Sequence, residues 1–356
     1  MNRPSASAVL RQAGITNPAR LVGLIRQAIR FLELDLSGLV VLTEAASGPY
    51  VVTPIIAALA GAERVIALTR ASRYGTVEAV VAQTQALAEL CGAAVELHTD
   101  RDPALFTAAD LITNLGFVRP LDAAAIGALK PTAVIPLMCE GWEVRPGDVD
   151  LAACVRRGIP VISTNEDFPG LEVFAYSGWL ALRLLFDAQI EIHKSRLAVV
   201  SGDKFGGVIA DRLWRAGANV RQWPHLRDAA AADLAALDAL IIADYTRDDL
   251  IVGPGGDLSA AELAAACPEA TVVQFAGRGD VAGLMAHGMT VYPGIDLPAH
   301  RMALTLAALG PRPVVELHAA GLKVGELAAR ARLGGRALAE LDEIILWGHL
   351  LGTRLA

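Results

Sequence analysis

The sequence predicts an α/β fold made of two doubly wound parallel-sheet modules, and three observations carry that prediction. The segment 197–220, L-A-V-V-S-G-D-K-F-G-G-V-I-A-D-R-L-W-R-A-G-A-N-V, runs from an apolar strand through a glycine-bearing turn into a helical pattern. Val208, Ile209, Leu213 and Trp214 recur there at helical spacing, and a strand resumes at Asn219 and Val220. A similar unit opens near Leu39 and closes on Ala60, Gly61 and Ala62, as the later one closes on Ala216, Gly217 and Ala218. Short strands alternate with helices along most of the chain, the pattern of a parallel sheet covered on both faces. A strand–turn–helix of this kind aims backbone N–H groups at an anion, which is the Rossmann-like solution to nucleotide binding.

The elements follow in order. Residues 5–33 read as one or two helices, with Leu21, Leu24, Ile25, Ala28, Ile29 and Leu32 at three-to-four spacing and Asn17-Pro18 as the start. Residues 39–42 make a strand, E-A-A-S-G-P-Y a turn, and 51–60 a helix with Pro54 in its first turn. Strands are expected at 64–68, 95–98, 111–114, 132–138 and 160–163, and helices at 76–90 and 150–157. The pattern at 171–188 reads as a hinge helix, and 239–243, 271–275 and 289–292 as later strands. The alanine-rich stretch 229–236 reads as plain helix. Near the end, Leu338, Leu341, Ile344, Ile345 and Leu351 suggest one helical apolar stripe. The expected division is therefore 1–188, 189–311 and a helical tail 312–356 that packs back or forms a homodimer contact.

Composition narrows the function. The 356 residues are 54% apolar, enough for two cores, and the net charge of −7 with no basic run argues against nucleic-acid binding. Cys91, Cys139, Cys154 and Cys267 lack C-x-x-C spacing, and the seven histidines show no H-x-x-x-H, so neither a disulfide framework nor a metal site is expected. The beginning, M-N-R-P-S-A-S-A-V-L-R-Q, has no secretory apolar stretch, and no apolar run reaches the ~20 residues of a membrane span. A cytoplasmic protein with a small-molecule ligand and no membrane contact is the expectation.

The order of parts resembles the D-2-hydroxyacid dehydrogenase and S-adenosylhomocysteine hydrolase group. The residues that carry it are L-I-T-N-L-G-F-V-R-P-L-D, V-D-L-A-A-C-V-R-R-G-I-P-V-I-S-T-N-E, the hinge pattern, and A-V-V-S-G-D-K-F-G-G-V-I-A, within 111–220. The resemblance implies a first Rossmann-like or flavodoxin-like domain, a hinge helix, an NAD(P)-binding domain and hydride transfer. It also points to an Arg-Gly after a later strand, for which Arg278-Gly279 is the nearest match. The chain departs from the pattern at the turn. With Gly206 as third glycine, the first two glycine positions of G-x-G-x-x-G hold Ser201 and Asp203, and the next strand ends V-R-Q-W without an acid for a ribose.

Candidate sites follow. At the later turn, Gly202, Lys204 and Gly206 are the cofactor-binding candidates, although the Asp203 carboxylate would repel a pyrophosphate, so weak or absent NAD binding is expected there. In the first module Ser47 and Gly48 open a helix, and Arg70 and Arg73 follow the second strand, a placement suited to a 2′-phosphate. Glu140, Asn165 and Glu166 follow strands whose carboxyl ends share a rim, and are the acid–base candidates in a cleft between modules. The leading expectation is an NAD(P)-dependent oxidoreductase of dehydrogenase ancestry acting on a small polar metabolite. The alternatives are a Rossmann-like protein that has lost dinucleotide binding, serving as a metabolite binder or assembly subunit, and an S-adenosylmethionine-dependent transferase.

Overall fold

The structure, a computed structural model, describes residues 4–145, 147–338 and 348–351. It divides into two units, Met1–Val173 with Gly310–Ala356, and Phe174–Leu309. The strands in chain order are β1 (Val40–Glu44), β2 (Arg64–Leu68), β3 (Glu96–His98), β4 (Leu111–Ile112), β5 (Ile135–Pro136) and β6 (Val161–Thr164) of the first unit. The second unit contributes β7 (Arg196–Val200), β8 (Asn219–Trp223), β9 (Ala239–Ala243), β10 (Leu250–Val252), β11 (Thr271–Ala276), β12 (Arg278–Gly279) and β13 (Val291–Tyr292). A last strand, β14 (Gly348–Leu351), belongs to the first unit.

In the first unit the parallel strands run β3-β2-β1-β4. Ile112 N donates to Val134 O at 3.0 Å and Val134 N to Asp110 O at 2.9 Å, which carries the sheet across to β5 and then β6. The resulting order 3-2-1-4-5-6 is that of dinucleotide-binding folds. Its inner strands β1, β2, β4, β5 and β6 are almost wholly buried on both faces, as helices on each side require, while the edge strand β3 is partly exposed. Antiparallel β14 pairs with β6 and covers its edge. Asn17 caps the helix Pro18–Phe31 through Arg20 N, and Leu21, Leu24, Ile25 and Ala28 form its buried stripe.

The helix Pro311–Leu333 packs on the same unit. A Cβ on Gly325 would stand 2.6 Å from Leu111 Cδ2 and 2.8 Å from Pro136 Cγ. Only glycine there lets the helix lie so close to β4 and β5. Where the sequence suggests a helical stripe through to Leu351, that residue is in β14, pairing with Val161; Leu341, Ile344 and Ile345 lie outside the described residues.

The second unit is a parallel sheet of order β8-β7-β9-β11-β13, with β10 and β12 as a separate parallel pair. Its core is continuous across one face, from Leu197 and Val199 through Ile209, Ile241 and Val273. The helix Tyr176–Asp187 at its start lies within the 171–188 stretch expected to be helical and buries Leu180, Leu184 and Leu185. The alanine-rich stretch yields only a single turn, Ala231–Leu234. Its alanines supply helix propensity but little apolar surface to hold a longer helix on the sheet. Among the described residues no helix is long and apolar enough to cross a membrane.

Candidate functional site

In open α/β sheets a ligand lies beyond the carboxyl ends of the strands, where the strand order reverses. The second unit reverses between β7 and β9. Asp203 caps the helix Lys204–Arg215 there, and its carboxylate accepts hydrogen bonds from Phe205 N and Ser201 Oγ, both at 2.9 Å, and from Tyr245 N at 2.6 Å. Ser201 Oγ in turn accepts from Gly206 N at 3.1 Å. Across the crevice Asp244 accepts from Gly202 N at 2.8 Å and from Thr246 N at 3.1 Å. The backbone amides that would cradle a phosphate are thus bonded to carboxylates and a hydroxyl of the chain itself. Burial raises the pKa of Asp203, opposed by its hydrogen bonds to Phe205 and Ser201 and reinforced by the neighbouring Asp244 charge.

The remaining candidates of this unit have their own partners. Lys204 Nζ sits 4.0 Å from the centroid of the Phe174 ring, a cation–π contact. A Cβ on Gly206 would meet Ser201 Cβ at 2.9 Å, so this glycine still serves the close helix–strand packing expected of a third fingerprint glycine. Arg278 donates to Asp248 O at 2.8 Å. Sequence reasoning missed His300, whose ring nitrogens hydrogen-bond Tyr245 O at 2.9 Å and Asp248 Oδ1 at 3.0 Å. No local motif joins positions so far apart, so only the fold could reveal the pair. Tested against these residues, a dinucleotide does not fit the β7 turn: its pyrophosphate would need the space and the amides that Asp203 holds.

The first unit reverses between β1 and β4. Glu44, at the end of β1, is buried and accepts from Phe117 N at 2.9 Å, and burial raises its pKa against the pull of Arg119 and Arg70. Arg70 is exposed, donates to Gly116 O at 3.3 Å and lies over the Phe117 ring. Arg73 stacks on Tyr74. Ser47 precedes the 3-10 turn Gly48–Val51 without a capping bond, and Gly48 exchanges two hydrogen bonds with Gln83, N to Oε1 at 3.1 Å and Nε2 to O at 2.9 Å.

Beyond β5 and β6 the same rim carries the acid–base candidates. Glu140 is buried, accepts from Trp142 Nε1 at 2.6 Å, and its backbone N–H donates to Glu143 Oε1 at 3.0 Å. Glu166 is buried, and the half-buried Asn165 accepts from Asp167 N at 3.1 Å. Parallel pairing of β5 with β6 puts Glu140 and Glu166 on one edge of the unit. Cys139 lies among them. Asn114 Nδ2 donates to its sulfur at 3.7 Å, and burial followed by the Glu143 and Glu166 charges pushes the thiol well above its usual pKa. Among the described residues no group of three His, Cys, Asp or Glu is placed to hold a metal ion.

No protein-family model matches the sequence, and neither does any curated protein. Solved structures do match. A dipicolinate synthase chain from Bacillus subtilis is 13% identical over 84% of this chain and 99% of its own, with a TM-score of 0.54. The dipicolinate synthase structure from Bacillus halodurans is 13% identical over 83% and 99%, with a TM-score of 0.53. An NAD-dependent formate dehydrogenase from Staphylococcus aureus, solved in complex with NAD, is 13% identical over 79% and 98%, with a TM-score of 0.43. At such identity the likeness is one of fold alone: the chain shares the fold of the two dipicolinate synthase chains.

Proposed function

We propose that this chain is a small-molecule-binding protein of dehydrogenase ancestry in which the second unit has given up its dinucleotide and the first unit holds the ligand. One observation carries the reading: the Asp203 carboxylate occupies the helix N-terminus and the Tyr245 amide at the β7–β9 crevice. An anion there would be repelled and would find its donors taken. The first unit keeps the 3-2-1-4-5-6 order, with Arg70 and Arg73 beyond β2. A thermal-shift panel of small anionic metabolites, NAD, NADP and S-adenosylmethionine tests this. A ligand at 100 times its Kd stabilises by about 2.7 kcal/mol. The expected pattern is a shift with small anions and none with NAD; a shift with NAD alone contradicts the proposal.

Catalysis is a second reading, favoured by the burial of Glu140 and Glu166 beyond β5 and β6, where two carboxylates can serve as acid and base. In it NADP is held by the first unit, through Arg70 and Arg73. If an oxidoreductase activity is found, Glu140→Gln and Glu166→Gln proteins that fold should lose it by about a hundredfold or more. Full activity in both removes these residues from the chemistry.

A further inference from the structure

We infer that the first unit binds a small aliphatic α-amino acid of leucine's size in a cavity between the helices Pro18–Phe31 and Pro311–Leu333. None of the residues lining it is assigned a ligand above, so the inference stands apart from the reading of the sheet rim. The cavity measures about 120 Å³ and is largely enclosed. Leu24, Gln27, Ala28 and Phe31 line it from the first helix, and Arg312, Val315 and Glu316 from the second. Both sets follow three-to-four spacing, which places each on one face of its helix. Leu171 closes a third side, in a turn where its N–H donates to Phe168 O at 2.9 Å.

The lining changes character from floor to mouth. Leu24, Ala28, Leu171 and Val315 are buried and offer only carbon to a ligand. Gln27 is exposed, and the Arg312 and Glu316 side chains are 39% and 19% exposed, so the polar groups stand where solvent enters. An apolar cavity of about 150 Å³ can take up benzene, which gives this one room for about four or five carbon atoms. The isobutyl group of leucine is of that size. The half-exposed Phe31 ring lies against Gly170, where a Cβ would stand 2.8 Å from Phe31 Cζ, so this glycine lets the ring draw in as a wall. At the mouth Arg312 Nη1 donates to Glu316 Oε1 at 3.0 Å, and this is the one hydrogen bond of the guanidinium among the described residues. Its other N–H groups can hold a carboxylate. Gln27 Oε1 and the Glu316 carboxylate are acceptors for an ammonium. A plain carboxylic acid would meet the Glu316 charge, and a plain amine that of Arg312. A ligand with both signs on neighbouring atoms and a short apolar chain satisfies mouth and floor together, as an α-amino acid does.

Calorimetric titration of the intact protein with L-leucine and L-tryptophan tests the size of the site. Leucine is expected to bind, and tryptophan, too large for the cavity, is not. Isocaproate and isoamylamine are leucine without its ammonium and without its carboxylate. Each should bind at least about tenfold more weakly than leucine, because one charged group of the mouth then meets no partner. Ala28→Phe fills the floor and should abolish binding. Should that variant not fold, Arg312→Gln still reads the site: its ion pair is partly exposed and adds little stability, so the protein should fold and bind leucine about tenfold more weakly. No binding of leucine up to about 10 mM overturns the inference. So does isocaproate, isoamylamine or tryptophan binding as tightly as leucine, or equal leucine affinity in Arg312→Gln and wild type.

Discussion

Replacing Asp203 by Ala measures what the carboxylate does at the second unit's crevice. Three hydrogen bonds vanish, from Phe205 N, Ser201 Oγ and Tyr245 N. Loss of an aspartate N-cap costs about 1 kcal/mol. Tyr245 is 7% exposed, so its abandoned amide adds about 1–3 kcal/mol unless water reaches it. Relief of the carboxylate's own desolvation, seen in its raised pKa, returns part of this. The net expectation is a loss of about 2 kcal/mol, or roughly 6 °C in melting temperature for a unit of this size. Urea unfolding of Asp203→Ala against wild type reads it directly. Asp203→Asn keeps one side-chain acceptor and should lose about half as much. A loss under about 0.5 kcal/mol for the alanine variant would mean that the carboxylate does not hold the crevice closed.

Other outcomes follow from the same structure. His318 is buried beside Tyr50 and within 2.5 Å of Thr53 Oγ1, and burial lowers its pKa to about 4. The unfolded chain binds that proton near pH 6.5 and the folded chain only near 4, so stability should fall as pH drops through that window, by up to about 3 kcal/mol. His318→Gln should flatten this part of the profile, and an unchanged profile would contradict the assignment. Gly325→Ala should destabilise by about 1–2 kcal/mol in urea unfolding, because the clash with Leu111 and Pro136 outweighs alanine's helix propensity. Gly127→Ala, which meets open space in a helix, should be neutral or stabilising.

Much of the fold was legible because strand and helix periods are written locally. The segment 197–220 marked β7, its helix and β8 nearly to the residue, since apolar runs and the A-G-A ending report neighbours along the chain. Strand order was not legible: which strand lies beside β1 depends on contacts made far along the sequence. The same distance hid the bonds that decide the sites. Asp203 was recognisable as an obstacle to pyrophosphate, but its bond to Tyr245 crosses from one strand end to another. Gly48 was expected at a nucleotide-binding turn, and nothing local shows that Gln83 takes its amide.

The central claim is that the β7 turn no longer receives a dinucleotide. Calorimetric titration of NAD into the intact protein tests it most directly. The account predicts no saturable binding up to about 1 mM, a free energy no better than about −4 kcal/mol. Micromolar binding that is abolished by Gly206→Trp would contradict it.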